Sequence, residues 1–505
     1  MKRALALALA LAIPVFSAAA PSIVLINGKV FTGPGTFAQA VAIEGNKIKA
    51  VGTTAQISAL ADPATRVIDL QGKLVIPGIN DAHTHPLWSA PGFQVSADPN
   101  ATFAQIAPLI AFAVDETPAD LPIHVIVGGP VINDPTVTRL SLNALAPGRK
   151  IFLHAFTGHG MVLSTAAMTE IGLDLNTPDP LGGTFGRDAN GQLNGRAFEY
   201  AQYPLERKLA NSFSDEELAQ AFAAFAAEAI SFGITSIQAM AGPDEERFVR
   251  AVDAAGSPLR VRIITIPAVA ARGRIGNGGA LKWILDGTPI EQGAALRTPY
   301  ANGGSGKQNF VQADVRDLLK IATDTNRQVL LHAAGDATLL SALQILKAKP
   351  MVRPRIEHGD GAHEDLIGLL KETGAIVVQN PTHFPFSGAY PTKAYMPFRS
   401  LVNAGVPVAI GSDGPINPYL NILLASDRTD RVNESLTREQ ALIAYTSGSA
   451  FAEMKETEKG KIAAGMLADL AVLSKDLFSV RPPAVPNIKA VMTIIDGQVV
   501  FEAEQ

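Results

Sequence analysis

From Ser22 onward the chain alternates apolar and polar positions in short runs divided by turn pairs. Ile23-Val-Leu-Ile26, Lys29-Val-Phe31, Ala40-Val-Ala-Ile43 and Lys47-Ile-Lys-Ala-Val51 are broken by Asn27-Gly28 and Glu44-Gly-Asn46. Asn-Gly and Gly-Asn pairs between β-rich runs predict hairpins, because these residues accept the left-handed backbone of tight turns. The same texture returns in Asp469–Leu473, Ala490–Ile495 and Gln498–Phe501, with Asp496-Gly497 as the turn. Neither end alone has enough strands for a stable core. The pattern therefore predicts one small β-sandwich assembled from both ends, residues 21–75 and 456–505.

The middle of the chain changes rhythm. Short apolar runs at Leu74–Ile79, Gly233–Gln238, Val261–Ile266, Leu281–Leu285, Val329–His332, Arg355–His358, Ala375–Gln379 and Val406–Ile410 read as buried strands. Amphipathic stretches such as Asp215–Phe232, Asp314–Thr325, Ala337–Ala348 and Glu364–Glu372 read as the helices between them. Eight strands alternating with helices predict an α/β fold, a (β/α)8 TIM barrel over 76–455, whose functional residues belong at strand C-termini. The gap between the first two strands is too long for one helix. Residues 90–225 form a long insertion after strand 1, with strands of its own at Ile123–Val127 and Lys150–His154 and a Gly-rich stretch, Leu181–Gly195. Its position suits a lid or pocket wall.

Composition narrows the class. At 505 residues the chain can bury a large core, and its 47% hydrophobic and 18% charged content is that of a globular protein. A formal charge of -5 with no basic stripe argues against nucleic acid as a partner. Met1-Lys-Arg3, the apolar run Ala4–Phe16 and Ser17-Ala-Ala-Ala20 read as a secretory signal peptide, 1–20, cleaved after Ala20. The apolar run falls short of the ~20 residues of a membrane span, so no span is expected once it is removed. Losing Lys2 and Arg3 takes the charge from -5 to -7. The chain has no Cys, which excludes disulfides, thiolate ligands and a Cys nucleophile. Export without disulfides fits a periplasmic or secreted enzyme stabilised by core burial. Its oligomeric state is open, a homo-oligomer included.

Candidate chemistry gathers where predicted strands hand over to loops. His83 and His85, in Leu74-Val-Ile-Pro-Gly-Ile-Asn-Asp-Ala-His-Thr-His85, sit at i and i+2 and share a strand face. Lys282 lies in the fourth barrel strand, His332 ends the fifth, His358 the sixth, and Asp413 follows the eighth. Each residue alone has an ordinary structural reading: a hydrogen-bonded His, a turn Asp, a Lys with its amine in water. Chance would scatter such residues over helices and loops, whereas these collect at strand ends. His124, His154 and His363 read as structural. His159, in a Gly-flanked loop, and His383, after strand seven, read as substrate-binding. Phe384, Phe386 and Tyr390 suggest an apolar pocket lining. A dry, unpaired ammonium at Lys282 would be costly beside a metal site. Reaction of its amine with carbon dioxide would instead give an anionic carbamate with two donor oxygens.

These motifs resemble the amidohydrolase superfamily of metal-dependent hydrolases. The resemblance is greatest to the branch with N-substituted formamide deformylases and D-aminoacylase-like enzymes. The stretches that carry it are Val75–His85, Leu281–Gly287, Leu331–Asp336, Arg355–His358 and Gly411–Pro415, supported by Pro397–Leu401, Ala444–Thr446 and Gly460–Gly465. The resemblance implies His83, His85, carboxylated Lys282, His332, His358 and Asp413 as ligands of one or two divalent metals, most simply Zn2+. Asp413 would double as the catalytic proton shuttle. It implies hydrolysis of a carbon–nitrogen bond in a small N-acyl or N-formyl substrate by a metal-activated water. A deaminase or a cyclic-amide or ester hydrolase would use the same site, and a non-catalytic periplasmic binding protein would have lost ligands that are all in place here. Two departures touch the pocket: Thr288-Pro-Ile-Glu-Gln292 replaces a Ser/Arg-rich run, and Ser164 stands where Asn is frequent.

Overall fold

A computed structural model describes residues 20–87, 91–240, 242–267, 279–392 and 394–504. The signal peptide read at 1–20 lies outside them apart from Ala20. Among the described residues no helix is long and apolar enough to cross a membrane.

Both ends of the chain meet in a small composite domain. One sheet runs Lys47–Gly52, Ala40–Glu44, Ile23–Ile26, Arg66–Asp69; the other runs Gln498–Glu502, Ala490–Ile495, Leu470–Leu473, Leu74–Pro77, Lys29–Gly33, Thr36–Ala38. Leu470–Leu473 pairs antiparallel with Leu74–Pro77, setting Ala471 opposite Ile76. Leu25, Val41, Val75, Leu470 and Ile494 close the core between the sheets.

The sequence pattern reads one strand across Leu74–Ile79, and the structure divides it. Leu74–Pro77 belongs to the small domain, while Ile79–Thr84 is the first barrel strand. Pro77 lacks an amide donor and so ends its ladder readily. Gly78 makes the crossing, since a Cβ there would lie 2.2 Å from Thr235 Oγ1. The remaining barrel strands are Ile234–Met240, Arg260–Thr265, Ala280–Ile284, Gln328–Ala333, Arg355–His358, Ile376–Gln379 and Val408–Ile410, each parallel to the next. The helices match their sequence periodicity closely: Asp215–Ser231, Gln312–Asp324, Asp336–Ala348 and Glu364–Thr373. Ser214 and Glu217 form a reciprocal capping box at the start of the first of these, satisfying amides that the helix itself leaves open.

Strand alternation decides which residues reach the barrel interior. Leu281 and Trp283 pack outward in the layer that includes Leu331, Leu343, Ile356 and Leu370, so Lys282 between them faces in. Leu331 and Ala333 likewise lie outward and turn His332 inward. The barrel closes where the eighth strand meets the first: Ser412 N donates to Asp81 Oδ1 at 2.9 Å and Asp413 N to the His83 carbonyl at 2.9 Å.

The insertion carries its own six-stranded sheet, ordered Gly183–Arg187, Leu193–Glu199, Gly160–Leu163, Ile151–Ala155, Ile123–Val127, Phe93–Ser96. The Gly-rich stretch supplies the hairpin at its edge. From Glu199 the chain runs into the helix Tyr203–Ala210.

Gly411 sets how closely the eighth strand approaches the first, because a Cβ there would stand 2.2 Å from the Cβ of His83. Gly411→Ala is expected to lower stability by about 1–3 kcal/mol, the usual range for overpacking. Denaturant unfolding checks this, and an unchanged midpoint would show that the seam is slack.

Candidate active site

The first strand presents Asp81, His83 and His85 on one face. Asp81 is fully buried and accepts from the backbone amides of His83 and Ser412 and from Tyr445 Oη, tying three segments together. Burial pushes its carboxyl up to about 6. His83 Nδ1 donates to Glu357 Oε2 at 2.6 Å with both side chains wholly inaccessible. Glu357 is held in turn by Arg355, through Nε at 2.8 Å and Nη2 at 3.0 Å. With Nδ1 committed, His83 presents Nε2 to Lys282 Nζ at 3.0 Å and to Asp413 Oδ2 at 3.6 Å.

In an extended strand Glu357 and His358 would face opposite sides. His358 has φ of 66°, a left-handed backbone that turns its ring inward beside its neighbour. Its Nδ1 then stands 3.7 Å from Asp413 Oδ2. Asp413 also has positive φ, 37°. Its carboxylate collects His85 Nε2 at 3.4 Å and His383 Nε2 at 3.5 Å, the His383 ring stacking on His358. His332 adds its ring 4.4 Å from that of His358. Five of the six residues read as metal ligands, His85, Lys282, His332, His358 and Asp413, line one cavity of about 620 Å³, and His83 lies directly behind them against Lys282.

Burial shapes the charge states here. It holds His83, His332 and His358 well below the usual imidazole range and His85 at about 4, so these rings are neutral at physiological pH. It also brings the Lys282 amine down to about 8. Burial alone would raise Asp413, but the surrounding imidazoles and Lys282 outweigh it and keep the carboxyl below its ordinary range.

These groups fit a divalent metal. His332 Nε2 and His358 Nδ1 are buried and have no hydrogen-bond partner among the described residues. Neutral imidazole nitrogens aimed at a carboxylate set lone pair against anion, which a cation between them relieves. His83, His358 and Asp413 each offer an atom within 4.8 Å of the others. A donor set of nitrogen and oxygen without sulfur suits Zn2+ and its neighbours.

The insertion closes one side of the cavity. His159 Nδ1 lies 3.0 Å from Glu199 Oε1, and Glu199 Oε2 accepts from Tyr203 Oη at 3.2 Å and Asn309 Nδ2 at 3.1 Å. Burial opposes a charge on His159, but Glu199 and then Glu291 outweigh it and raise its pKa. Its ring sits 4.8 Å from His332. Glu291, from the loop that departs from the family pattern, is held by Thr157 and Thr288 behind this group.

Other expectations need correction. His124 and His154, read as structural, are hydrogen-bonded to each other and, through His124, to the Pro91 carbonyl, and they also line the cavity. Phe384 and Tyr390 do not line it: Phe384 is buried beneath Arg428, and Tyr390 donates to Asp360. Phe386 pairs with Phe156, and of these two only Phe156 lines the cavity. Ser164 lies away from it, capping the helix Thr165–Glu170. His363 packs on Tyr395 outside the site. Sequence reasoning missed Glu357, Arg355, Asp81 and Glu199. Glu357 had a signal in the alternation Arg355-Ile-Glu357, two charged positions on one face of a buried strand. Glu199 had none.

The amidohydrolase family's sequence profile matches residues 66–501. The YtcJ protein of Bacillus subtilis (strain 168), named as an amidohydrolase, is 27% identical over 515 residues, 93% of this chain and 97% of its own length. N-substituted formamide deformylase of Arthrobacter pascens is 24% identical over 532 residues, 95% and 98% of the two chains. The crystal structure of a metal-dependent hydrolase from Pyrococcus horikoshii OT3 superposes with a TM-score of 0.70 at 20% identity, covering 91% of this chain and 99% of that one. The chain belongs to the amidohydrolase family and is a metal-dependent hydrolase of carbon–nitrogen bonds.

Glu357→Gln would leave the Arg355 charge without its counter-ion in a dry interior, at a cost of about 3–5 kcal/mol. It would also loosen the orientation of His83, so zinc affinity is expected to fall about 10- to 100-fold. Unfolding and chelator competition measure the two effects. Unchanged affinity would remove Glu357 from any role at the metal site.

Proposed function

We propose that the protein hydrolyses the amide bond of small N-acyl or N-formyl compounds, with Asp413 as the proton shuttle. The observation that carries this reading is the gathering of neutral imidazoles and the Lys282 amine around the Asp413 carboxylate. His83, His85, His332, His358, Asp413 and a carboxylated Lys282 would hold one or two metals, most simply Zn2+. When bound, such a metal polarises the carbonyl and lowers the pKa of the hydrolytic water from 15.7 to about 7.

The protein's own groups do the rest. Asp413, ionised because its neighbours hold its pKa down, accepts a proton from the attacking water as the new C–O bond forms. The same oxygen returns that proton to the nitrogen as the C–N bond breaks, so the amine leaves neutral and the acid product keeps the water oxygen. His159, whose proton Glu199 and Glu291 stabilise, donates from Nδ1 to Glu199 and, in its protonated form, from Nε2 to the carbonyl oxygen as negative charge develops there. His383, read from sequence as the second candidate, does not line the cavity, and its Nε2 faces Asp413, so its part is to position that carboxylate.

The apolar part of the wall, Phe156, Leu209, Phe225, Ile266 and Ile416, supports an acyl or amine group with a hydrocarbon body. The formamide-cleaving relative makes an N-formyl compound the first choice. Carboxylation of Lys282 rests on its burial, which disfavours the ammonium more than Asp413 and Glu357 favour it, and on the resulting pKa of about 8, which frees the amine to attack carbon dioxide. The basic and apolar start of the chain supports export to the periplasm or beyond.

Metal-loaded protein is expected to hydrolyse members of a panel of N-formyl, N-acetyl and longer N-acyl amides, and metal-stripped protein none. Asp413→Asn should lower kcat by about 10²- to 10⁴-fold, the usual share of a general acid–base group. Turnover equal to wild type in that variant would refute the shuttle. Bicarbonate in the loading buffer should increase the zinc retained per chain. Retention independent of it would argue against the carbamate.

A further inference from the structure

The helix Tyr203–Ala210 lays one face along the cavity: Tyr203, Glu206, Arg207 and Ala210 all line it, at i, i+3, i+4 and i+7. Tyr203 marks the reactive end, with its Oη 3.3 Å from His159 Nδ1. Glu206 is one turn further on, about 4.5 Å along the axis at 1.5 Å per residue.

Glu206 is built in with care. Its side chain is 10% exposed. Oε1 accepts from Gln202 Nε2 at 2.6 Å and faces His154 Nδ1 at 3.6 Å. Behind it, His154 Nε2 lies 2.9 Å from His124 Nδ1, and His124 Nε2 lies 3.1 Å from the Pro91 carbonyl. A carbonyl only accepts, so His124 donates through Nε2 and, being neutral, accepts through Nδ1. His154 therefore spends Nε2–H on His124. Oε1 is thus held by Gln202, while His154, tied to His124, stands beside it at 3.6 Å without a hydrogen bond. Oε2 is different: it is buried and no described residue donates to it. A buried carboxylate oxygen without a donor is costly, and a cavity-lining one is satisfied by a donor that arrives with the ligand. Arg207 does not meet that need. Its Nη2 donates to the Ile266 carbonyl at 2.8 Å and its Nε faces the Gly242 carbonyl at 3.4 Å, which turns the guanidinium toward backbone.

We propose that Glu206 Oε2, on a carboxylate whose Oε1 is held by Gln202, is the receptor for an ammonium group on the substrate, further along the cavity wall than the scissile carbonyl. The inference rests on the amide-hydrolase reading and narrows it to N-acyl compounds bearing a primary amine. Phe225, Leu209 and Ala210 would flank the hydrocarbon that joins the two ends.

The test separates this subsite from the reaction. Binding of cyclohexylamine, cyclohexanol and cyclohexanecarboxylate to the full-length protein is measured by calorimetry. The amine is expected to bind about ten-fold or more tightly than the alcohol, the scale of one charge-assisted hydrogen bond. Glu206→Gln should abolish that preference and Glu206→Asp should retain part of it. Equal binding of amine and alcohol overturns the proposal, as does tighter binding of the carboxylate, which would assign the wall to Arg207. A preference that survives Glu206→Gln overturns it too. In turnover, the ratio of kcat/KM for an ω-amino N-formyl substrate over its ω-hydroxy analogue should fall at least about ten-fold in Glu206→Gln. Amine binding without hydrolysis of any amide would refute the reaction and leave the subsite standing; hydrolysis with no amine preference would do the reverse.

Discussion

The hydrogen bond between His83 and Glu357 is the constraint on which the rest of the site depends. Both side chains are fully buried, 2.6 Å apart, and Arg355 supplies the counter-charge from the same strand as Glu357. A charged pair in a dry interior gains little over apolar packing of the same volume, and it is strongly unfavourable if either partner is lost. Its presence at the centre of the barrel makes sense as a positioning device. It commits one ring nitrogen of His83 and thereby aims the other. Asp81 repeats the device at the seam, holding the first and eighth strands in a register that sets Asp413 against His83 and His85.

Two backbone irregularities complete the arrangement. A regular strand would send Glu357 and His358 to opposite faces, and Asp413 lies just beyond the end of the eighth strand. Positive φ at His358 and Asp413 overrides that geometry. Such conformations cost of order 1–3 kcal/mol each and persist only where surrounding contacts over-determine them. Here the contacts are the seam hydrogen bonds and the stacked imidazoles.

The division of labour follows the chain's two architectures. Barrel strands, packed on both faces and short, hold donor atoms in fixed register and suit metal chemistry. The inserted layer brings His159 on its Glu199–Tyr203 support and a helix that lines the outer cavity. Its six-stranded sheet gives these groups a rigid backing that an unstructured loop of the same length would lack.

How much of this was legible in the sequence varies by residue. The strand positions of Lys282 and His332 were legible, and the structure shows why they turn inward: Leu281, Trp283, Leu331 and Ala333 pack under helices. The H-x-H pair and the strand-end positions of His358 and Asp413 were legible for the same reason: periodicity is local. Helix bounds were legible within a few residues from amphipathic patterns. The division at Pro77-Gly78 was not, since one apolar run served two sheets that only the closing C-terminal strand separates. His124 and His154 looked structural because nothing local says that an inserted sheet will face them toward a barrel. Phe384 and Tyr390 looked like pocket residues and turned into the core. Local pattern thus determined the elements, their faces and the kinds of donor atom present. The tertiary structure alone decided which donors meet, which buried carboxylates orient them, and which side chains form the wall. Those outcomes depend on contacts between residues hundreds of positions apart, and no periodicity along a chain encodes a distance across it.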